Sequence, residues 1–192
     1  MREKEKAVTL IIENDEQVVE VLTTLLSTAP CFNYQVTSLN TLQQALPFLS
    51  RYAANLDLII LDLKLKDGSG VECVRSVRRI APKDAVPIVV LTATDDDQTA
   101  VNSLKAMADE YLVKGRHTNQ EILERIRNAV VRFRAAKELT LAGAGKGVEV
   151  LDYLQRQCES NPHLPPHQMD SMPISHPHSD TVLIEKKSRP GG

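Results

Sequence analysis

Five short apolar runs recur along the first two thirds of the chain: Val8–Ile12, Tyr34–Thr37, Leu58–Leu61, Ile88–Leu91 and Tyr111–Val113. Longer stretches lie between them, with apolar residues every three or four positions. Val18, Val21, Leu22 and Leu25 share one helical face, as do Val71, Val74, Val77 and Ile80. Ala100, Leu104 and Met107 form another stripe, and Ile122, Ile126, Val130 and Phe133 a further one. Strand and helix in strict alternation predict an α/β fold, a parallel sheet wound through right-handed crossovers. Strands without polar interruption fit that reading, because helices bury both faces of such a sheet. Thr118 with Glu121 forms a capping box that starts the last helix, and Pro47 predicts a kink or split in the second.

Composition narrows the function. Of 192 residues, 42% are hydrophobic and 25% charged, a globular mixture. Lys and Arg total 23 against 25 Asp and Glu, a formal charge of −2, which argues against a nucleic-acid binder or a polybasic membrane binder. The apolar runs fall far short of the ~20 residues a membrane span needs. Cys31, Cys73 and Cys158 match no disulfide or zinc spacing, so a cytoplasmic, soluble protein is expected.

In open parallel sheets the chemistry gathers beyond the carboxyl ends of the strands. The first strand here ends in Glu13-Asn14-Asp15-Glu16, the third in Asp62, the fourth in Thr92 and the fifth in Lys114. Converging carboxylates repel one another unless a cation compensates, and a hard, oxygen-seeking ion such as Mg²⁺ suits them. A carboxylate beside a metal, an ammonium and a hydroxyl is a site for a phosphoryl group. Taken singly, each residue has an ordinary reading. Asp62 serves as a turn former, Lys114 as a solvated lysine, Thr92 as a strand-end hydroxyl and Tyr111 as a half-buried strand residue. Their convergence favours a site. Asp95-Asp96-Asp97 reads as favouring the N-terminus of the helix that follows.

Four segments in this order resemble the receiver domains of two-component response regulators. LIILDLKLKDGSG (58–70) is similar to the phosphoacceptor strand and loop, PIVVLTAT (87–94) to the fourth strand, MADEYLVKG (107–115) to the fifth, and LIIENDE (10–16) to the acidic-pair strand. The resemblance covers residues 6–136. It implies a CheY-like doubly wound (βα)5 fold with strand order 2-1-3-4-5. It also implies Asp62 as phosphoacceptor, with Thr92 and Lys114 assisting and Thr92 with Tyr111 as the switch pair. By the same resemblance Mg²⁺ is held by Glu13, Asp62, the Lys64 backbone carbonyl and the position of Asn14. A histidine kinase or histidine phosphotransfer protein supplies the phosphoryl group. The signal leaves through the fourth helix, fifth strand and fifth helix, to a protein target or a second copy. Such a chain is not an independent enzyme, although it supports its own phosphotransfer and dephosphorylation.

Four positions depart from the family pattern. Asn14 stands where an acid is usual, and its neutral side chain weakens Mg²⁺ binding. Lys64 and Lys66 place ammonium groups just after Asp62. Gly115 replaces a proline. The alternative reading is therefore a pseudo-receiver, an interaction module with little or no phosphorylation.

The expected boundaries are a receiver at 6–138, a Gly-rich hinge at 139–147, a short amphipathic helix at 148–159 carrying Val150, Leu151, Leu154 and Cys158, and a tail at 160–192. The tail holds Pro162, Pro165, Pro166, Pro173, Pro177 and Pro190 with most of the histidines, and its composition predicts disorder. No DNA-reading module is expected in it.

Overall fold

The computed structural model describes residues 4–142. Five strands, β1 (Glu5–Ile12), β2 (Phe32–Leu39), β3 (Leu58–Leu61), β4 (Ile88–Thr92) and β5 (Glu110–Val113), form one parallel sheet in the order β2-β1-β3-β4-β5. Helices α1 (Glu16–Ser27), α2 (Leu42–Tyr52), α3 (Val71–Ile80), α4 (Asp97–Lys105) and α5 (Asn119–Ala142) follow the strands in turn. Successive side chains along a strand point to opposite faces, so the sheet feeds two cores. Ile11, Leu58, Ile60, Val89 and Leu112 pack with α1 and α5. Leu10, Ile12, Ile59, Leu61 and Val90 pack with α2 and α3. All four residues of β3 are buried, which is why that strand carries no polar residue.

Side chains mark the helix starts. Asp15 caps α1, Thr41 caps α2 and Asp96 caps α4, each accepting from amides of the first turn. At α5 the Glu121 carboxylate accepts from the Thr118 amide while the Thr118 hydroxyl accepts from the Glu121 amide, completing the predicted capping box.

Two sequence expectations are corrected. Pro47 sits inside α2, yet the helix is not split. Proline removes one amide donor, toward the Gln43 carbonyl, and both residues lie on the exposed face where water can satisfy that carbonyl. The α4 stripe is also turned outward. Leu104 and Met107 are 48% and 47% exposed, with Val101 beside them at 45%, while Ser103 is the buried residue of the helix. Ser103 Oγ has no hydrogen-bond partner among the described residues, so α4 faces the core with a poor anchor.

The loop after β3 holds a two-residue antiparallel ladder, Lys64–Leu65 with Gly68–Ser69, that periodicity did not reveal. A Cβ on Gly68 would lie 2.5 Å from Leu42 Cδ1 and 3.3 Å from Cys73 Sγ, so a side chain there would push the Leu42 side chain aside where the loop meets α2. Helix α5 continues to Ala142 and so enters the segment assigned to the hinge. The rest of that hinge, the amphipathic stretch 148–159 and the tail 160–192 lie outside the described residues. Among the described residues, no helix is long and apolar enough to cross a membrane.

Candidate functional site

The carboxyl ends of β1, β3, β4 and β5 bring four of the predicted residues to one edge of the sheet. Glu13, Asp62, Thr92 and Lys114 are all buried, at 4%, 6%, 0% and 8% exposure. Parallel pairing sets their height. The Asp62 amide donates to the Ile12 carbonyl at 2.9 Å, and the Lys114 amide to the Thr92 carbonyl at 2.8 Å. The Lys114 ammonium donates to Glu13 Oε2 at 2.5 Å and stands 3.7 Å from Asp62 Oδ2. A single buried cation therefore serves two carboxylates.

Each carboxylate has a second contact. Glu13 Oε1 accepts from the Asp15 amide at 3.0 Å, and Asp62 Oδ1 from the Leu63 amide at 2.8 Å. Burial lifts the Glu13 carboxyl above its ordinary value, and the adjacent Lys114 ammonium offsets only part of that rise. Thr92 Oγ1 accepts from the Thr94 amide at 3.4 Å. Tyr111 is not in the buried group. Its hydroxyl donates to the Thr94 carbonyl at 2.7 Å, tying β5 to the loop that follows Thr92. Gly115 turns the chain after Lys114 with φ +83°, a conformation open to glycine and costly for residues with a Cβ.

Asp15 does not stand in for the missing acid. Its Oδ1 accepts from the Gln17 and Val18 amides at the start of α1. Asn14 is different, since its Oδ1 is buried without a hydrogen-bond partner among the described residues. An orphaned buried acceptor costs free energy and invites a cation. With Glu13 and Asp62 it gives an all-oxygen donor set, which fits Mg²⁺. Among the described residues no group of three or more His, Cys, Asp or Glu gathers as a metal site. Amide, backbone and water oxygens would complete the shell, and Mg²⁺ commonly retains several waters. Lys64, whose carbonyl is the remaining predicted ligand, lies opposite Ser69 in the short ladder, with its side chain and that of Lys66 exposed.

Sequence reasoning missed Asp67. Its carboxylate accepts from the Leu42 amide at 2.9 Å and the Gln43 amide at 2.7 Å, clasping the loop after β3 to the N-terminus of α2. The Asp67-Gly68 pair signalled a turn, and nothing local indicated α2 as its partner. Desolvation opposes the charge, but the Gln43 and Leu42 amides outweigh it and hold the carboxyl below its ordinary value. With the folded value depressed, this contribution is present above the unfolded aspartate value of about 3.9 and is lost as pH falls through the folded value. Asp67→Ala is expected to cost about 1 kcal/mol at neutral pH, with the difference from wild type shrinking in acid, as read by urea unfolding across a pH series. An equal deficit at all pH values would show that the carboxylate charge is not what acts.

A parallel sheet in the order β2-β1-β3-β4-β5, wound with helices on both faces and carrying an aspartate, a lysine and a hydroxyl at its carboxyl edge, defines a doubly wound α/β protein. The chain matches the model of the response regulator receiver domain over residues 9–127 and belongs to that family. It is 29% identical over 180 residues to the KDP operon transcriptional regulatory protein KdpE of Escherichia coli, covering 93% of this chain and 76% of that one. It is 34% identical over 130 residues to the transcriptional regulatory protein KdpE of Mycobacterium tuberculosis, covering 68% of this chain and about half, 54%, of that one. A receiver domain protein from Clostridium thermocellum superposes with a TM-score of 0.58 at 25% identity, over 67% of this chain and 97% of its own.

Proposed function

We propose that this receiver takes a phosphoryl group onto Asp62 from a phosphohistidine of a histidine kinase or histidine phosphotransfer protein, and signals by contact with another protein. The observation that carries this reading is the buried Lys114 ammonium reaching both Glu13 and Asp62. An Asp62 carboxylate oxygen forms the new P–O bond as the P–N bond of the donor breaks, and the leaving imidazole takes up a proton. Lys114 offsets negative charge on the phosphoryl oxygens, and the Thr92 hydroxyl donates to one of them. Mg²⁺, held by Glu13, Asp62, Asn14 and the Lys64 carbonyl, supplies further neutralisation of the phosphoryl oxygens when bound.

A Thr92 hydroxyl drawn to the phosphoryl group leaves the Thr94 amide, and the Tyr111 bond to Thr94 carries that change to β5. Val101 and Leu104 of the neighbouring α4, with Met107 just past its end, give an apolar exposed face suited to a protein partner or a second copy. Asn14 favours the second reading, a phosphate-independent interaction module, because a neutral amide weakens cation binding.

The test is incubation with a small phosphoryl donor, with and without Mg²⁺, followed by mass spectrometry after borohydride trapping. Mg²⁺-dependent labelling at Asp62, absent from Asp62→Asn, is the expected result. Labelling elsewhere, or none at high Mg²⁺, would overturn the reading in favour of the second. Asn14→Asp is expected to tighten Mg²⁺ binding severalfold by adding a carboxylate ligand, measured by titration calorimetry.

A further inference from the structure

The loop that carries the Lys64 carbonyl folds as the short ladder of Lys64–Leu65 with Gly68–Ser69, and Lys66 and Asp67 make its two-residue tip. Two-residue hairpins favour turns in which one or both tip residues take positive φ, because those turns match the twist of the strands. Among the described residues Met107 is the non-glycine residue with positive φ, so neither Lys66 nor Asp67 supplies such a turn. A ladder of two residues per strand with an unmatched turn has little stability of its own. Its shape depends on what the rest of the molecule holds.

The base and the tip are held differently. At the base the Gly70 amide donates to the Leu63 carbonyl at 2.8 Å, and the Leu65 side chain is buried in the core shared with α2 and α3. At the tip both carboxylate oxygens of Asp67 are used, Oδ1 accepting from the Leu42 amide and Oδ2 from the Gln43 amide. The first amides of a helix lack partners within it. Thr41, the residue before α2, satisfies the Gln44 amide from close by, and Asp67 takes the two before it from 24 and 25 positions away. Asp67 is exposed and fills no core, so these two bonds are its contribution.

We propose that Asp67 is a positioning residue for the cation site: by tying the tip of the ladder to α2 it fixes the position of the Lys64 carbonyl, and so couples Mg²⁺ binding to the N-terminus of α2. The inference rests on the Mg²⁺ ligands of the functional reading above. Lys64 lies between the closed base and the tied tip, three positions before Asp67, so slack at the tip reaches its carbonyl directly. Groups that orient a ligand without touching the metal commonly change its affinity by about 10–100-fold. The coupling is reciprocal, because a cation that needs the loop in place must in turn tighten the clasp.

The experiment is titration calorimetry with magnesium chloride on the full 192-residue chain, comparing wild type with Asp67→Ala, Asp67→Asn and Thr41→Ala. Asp67→Ala is expected to raise the Mg²⁺ Kd about tenfold, the lower end of the range for such groups. Asp67→Asn keeps one acceptor oxygen and should recover part of the loss. Thr41→Ala loosens the same helix end without touching the loop, and should leave Kd unchanged. Hydrogen exchange supplies the reciprocal readout. Saturating Mg²⁺ should slow exchange of the Leu42 and Gln43 amides about tenfold in wild type and leave it unaltered in Asp67→Ala. An unchanged Kd in Asp67→Ala, an equal rise in Thr41→Ala, or wild-type amides indifferent to Mg²⁺ would each overturn the inference and leave the cation site standing. No saturable Mg²⁺ binding in wild type would overturn the inference and the proposed Mg²⁺ ligands together.

Discussion

Lys114→Met is expected to slow phosphoryl transfer to Asp62 by about 10²–10³-fold, in line with the loss of one preorganised charge at a buried reacting centre. The ammonium is the cation that contacts both Glu13 and Asp62, and both carboxylates are almost fully buried. Methionine keeps the stem's length and packing while removing the charge, so the loss reads electrostatics rather than a cavity. Single-turnover transfer from a phosphorylated donor measures it, and an unchanged rate would remove Lys114 from the reaction.

The same variant predicts a pH signature. Burial already raises the Glu13 carboxyl, and Lys114 is the group that restrains the rise. A carboxyl with a raised folded value favours the protonated fold, so its contribution to stability is present at low pH and is lost as pH rises through the folded value. Removing Lys114 lifts that folded value further. The variant's stability deficit should therefore widen toward neutral pH and narrow in acid, the same direction as for Asp67→Ala although it arises from a raised rather than a depressed carboxyl.

Arg78→Met is expected to destabilise the fold by about 3–5 kcal/mol, the range found when one partner of a buried ion pair is removed. Arg78 is 6% exposed and projects from α3 into the junction of three segments. Its guanidinium donates to the carbonyls of Met107 at 2.8 Å and Val86 at 2.6 Å, with longer bonds to Ala81 and Pro82. It also donates to Asp109 at 2.7 Å, whose carboxylate in turn accepts from the Ile88 amide. Burial pulls the guanidinium below its ordinary value, and Asp109 counters it. Methionine strands the carbonyls and the Asp109 charge together. Against a typical domain stability of 5–15 kcal/mol, such a variant is marginal. Arg78→Lys should recover only part of the loss, because one ammonium cannot reproduce a planar five-donor fork. Urea unfolding of the two variants checks both statements, and a loss below about 1 kcal/mol in Arg78→Met would show that water replaces the guanidinium without cost.

Arg78 also shows where sequence reading stopped. The α3 stripe of Val74 and Val77 was legible at helical spacing, yet Arg78 beside them reads as a solvated residue until β4, β5 and the end of α4 converge on it. Leu104 and Met107 failed in the opposite sense. Their spacing suggested a core stripe, and the structure leaves them exposed while Ser103 faces inward. Periodicity identifies a helix with an apolar side, but the packing partner decides which side is covered. Asp15 next to Glu13 could serve a metal or a helix end, and α1 claimed it.

The site residues were legible for a different reason. Asp62, Thr92 and Lys114 each end an apolar strand, and a parallel wound sheet carries all such ends to one edge. By itself, then, the sequence determined the alternation of elements, the two buried faces of the sheet and the edge at which the polar residues collect, because these follow from side-chain period and backbone sterics within short windows. Only the tertiary structure decided that Lys114 pairs with Glu13, 101 positions away, that Asp67 clasps α2, and that Arg78 is buried. Those pairings depend on distances between segments remote in the chain, and they exist only once the sheet has brought the segments together and excluded water from between them.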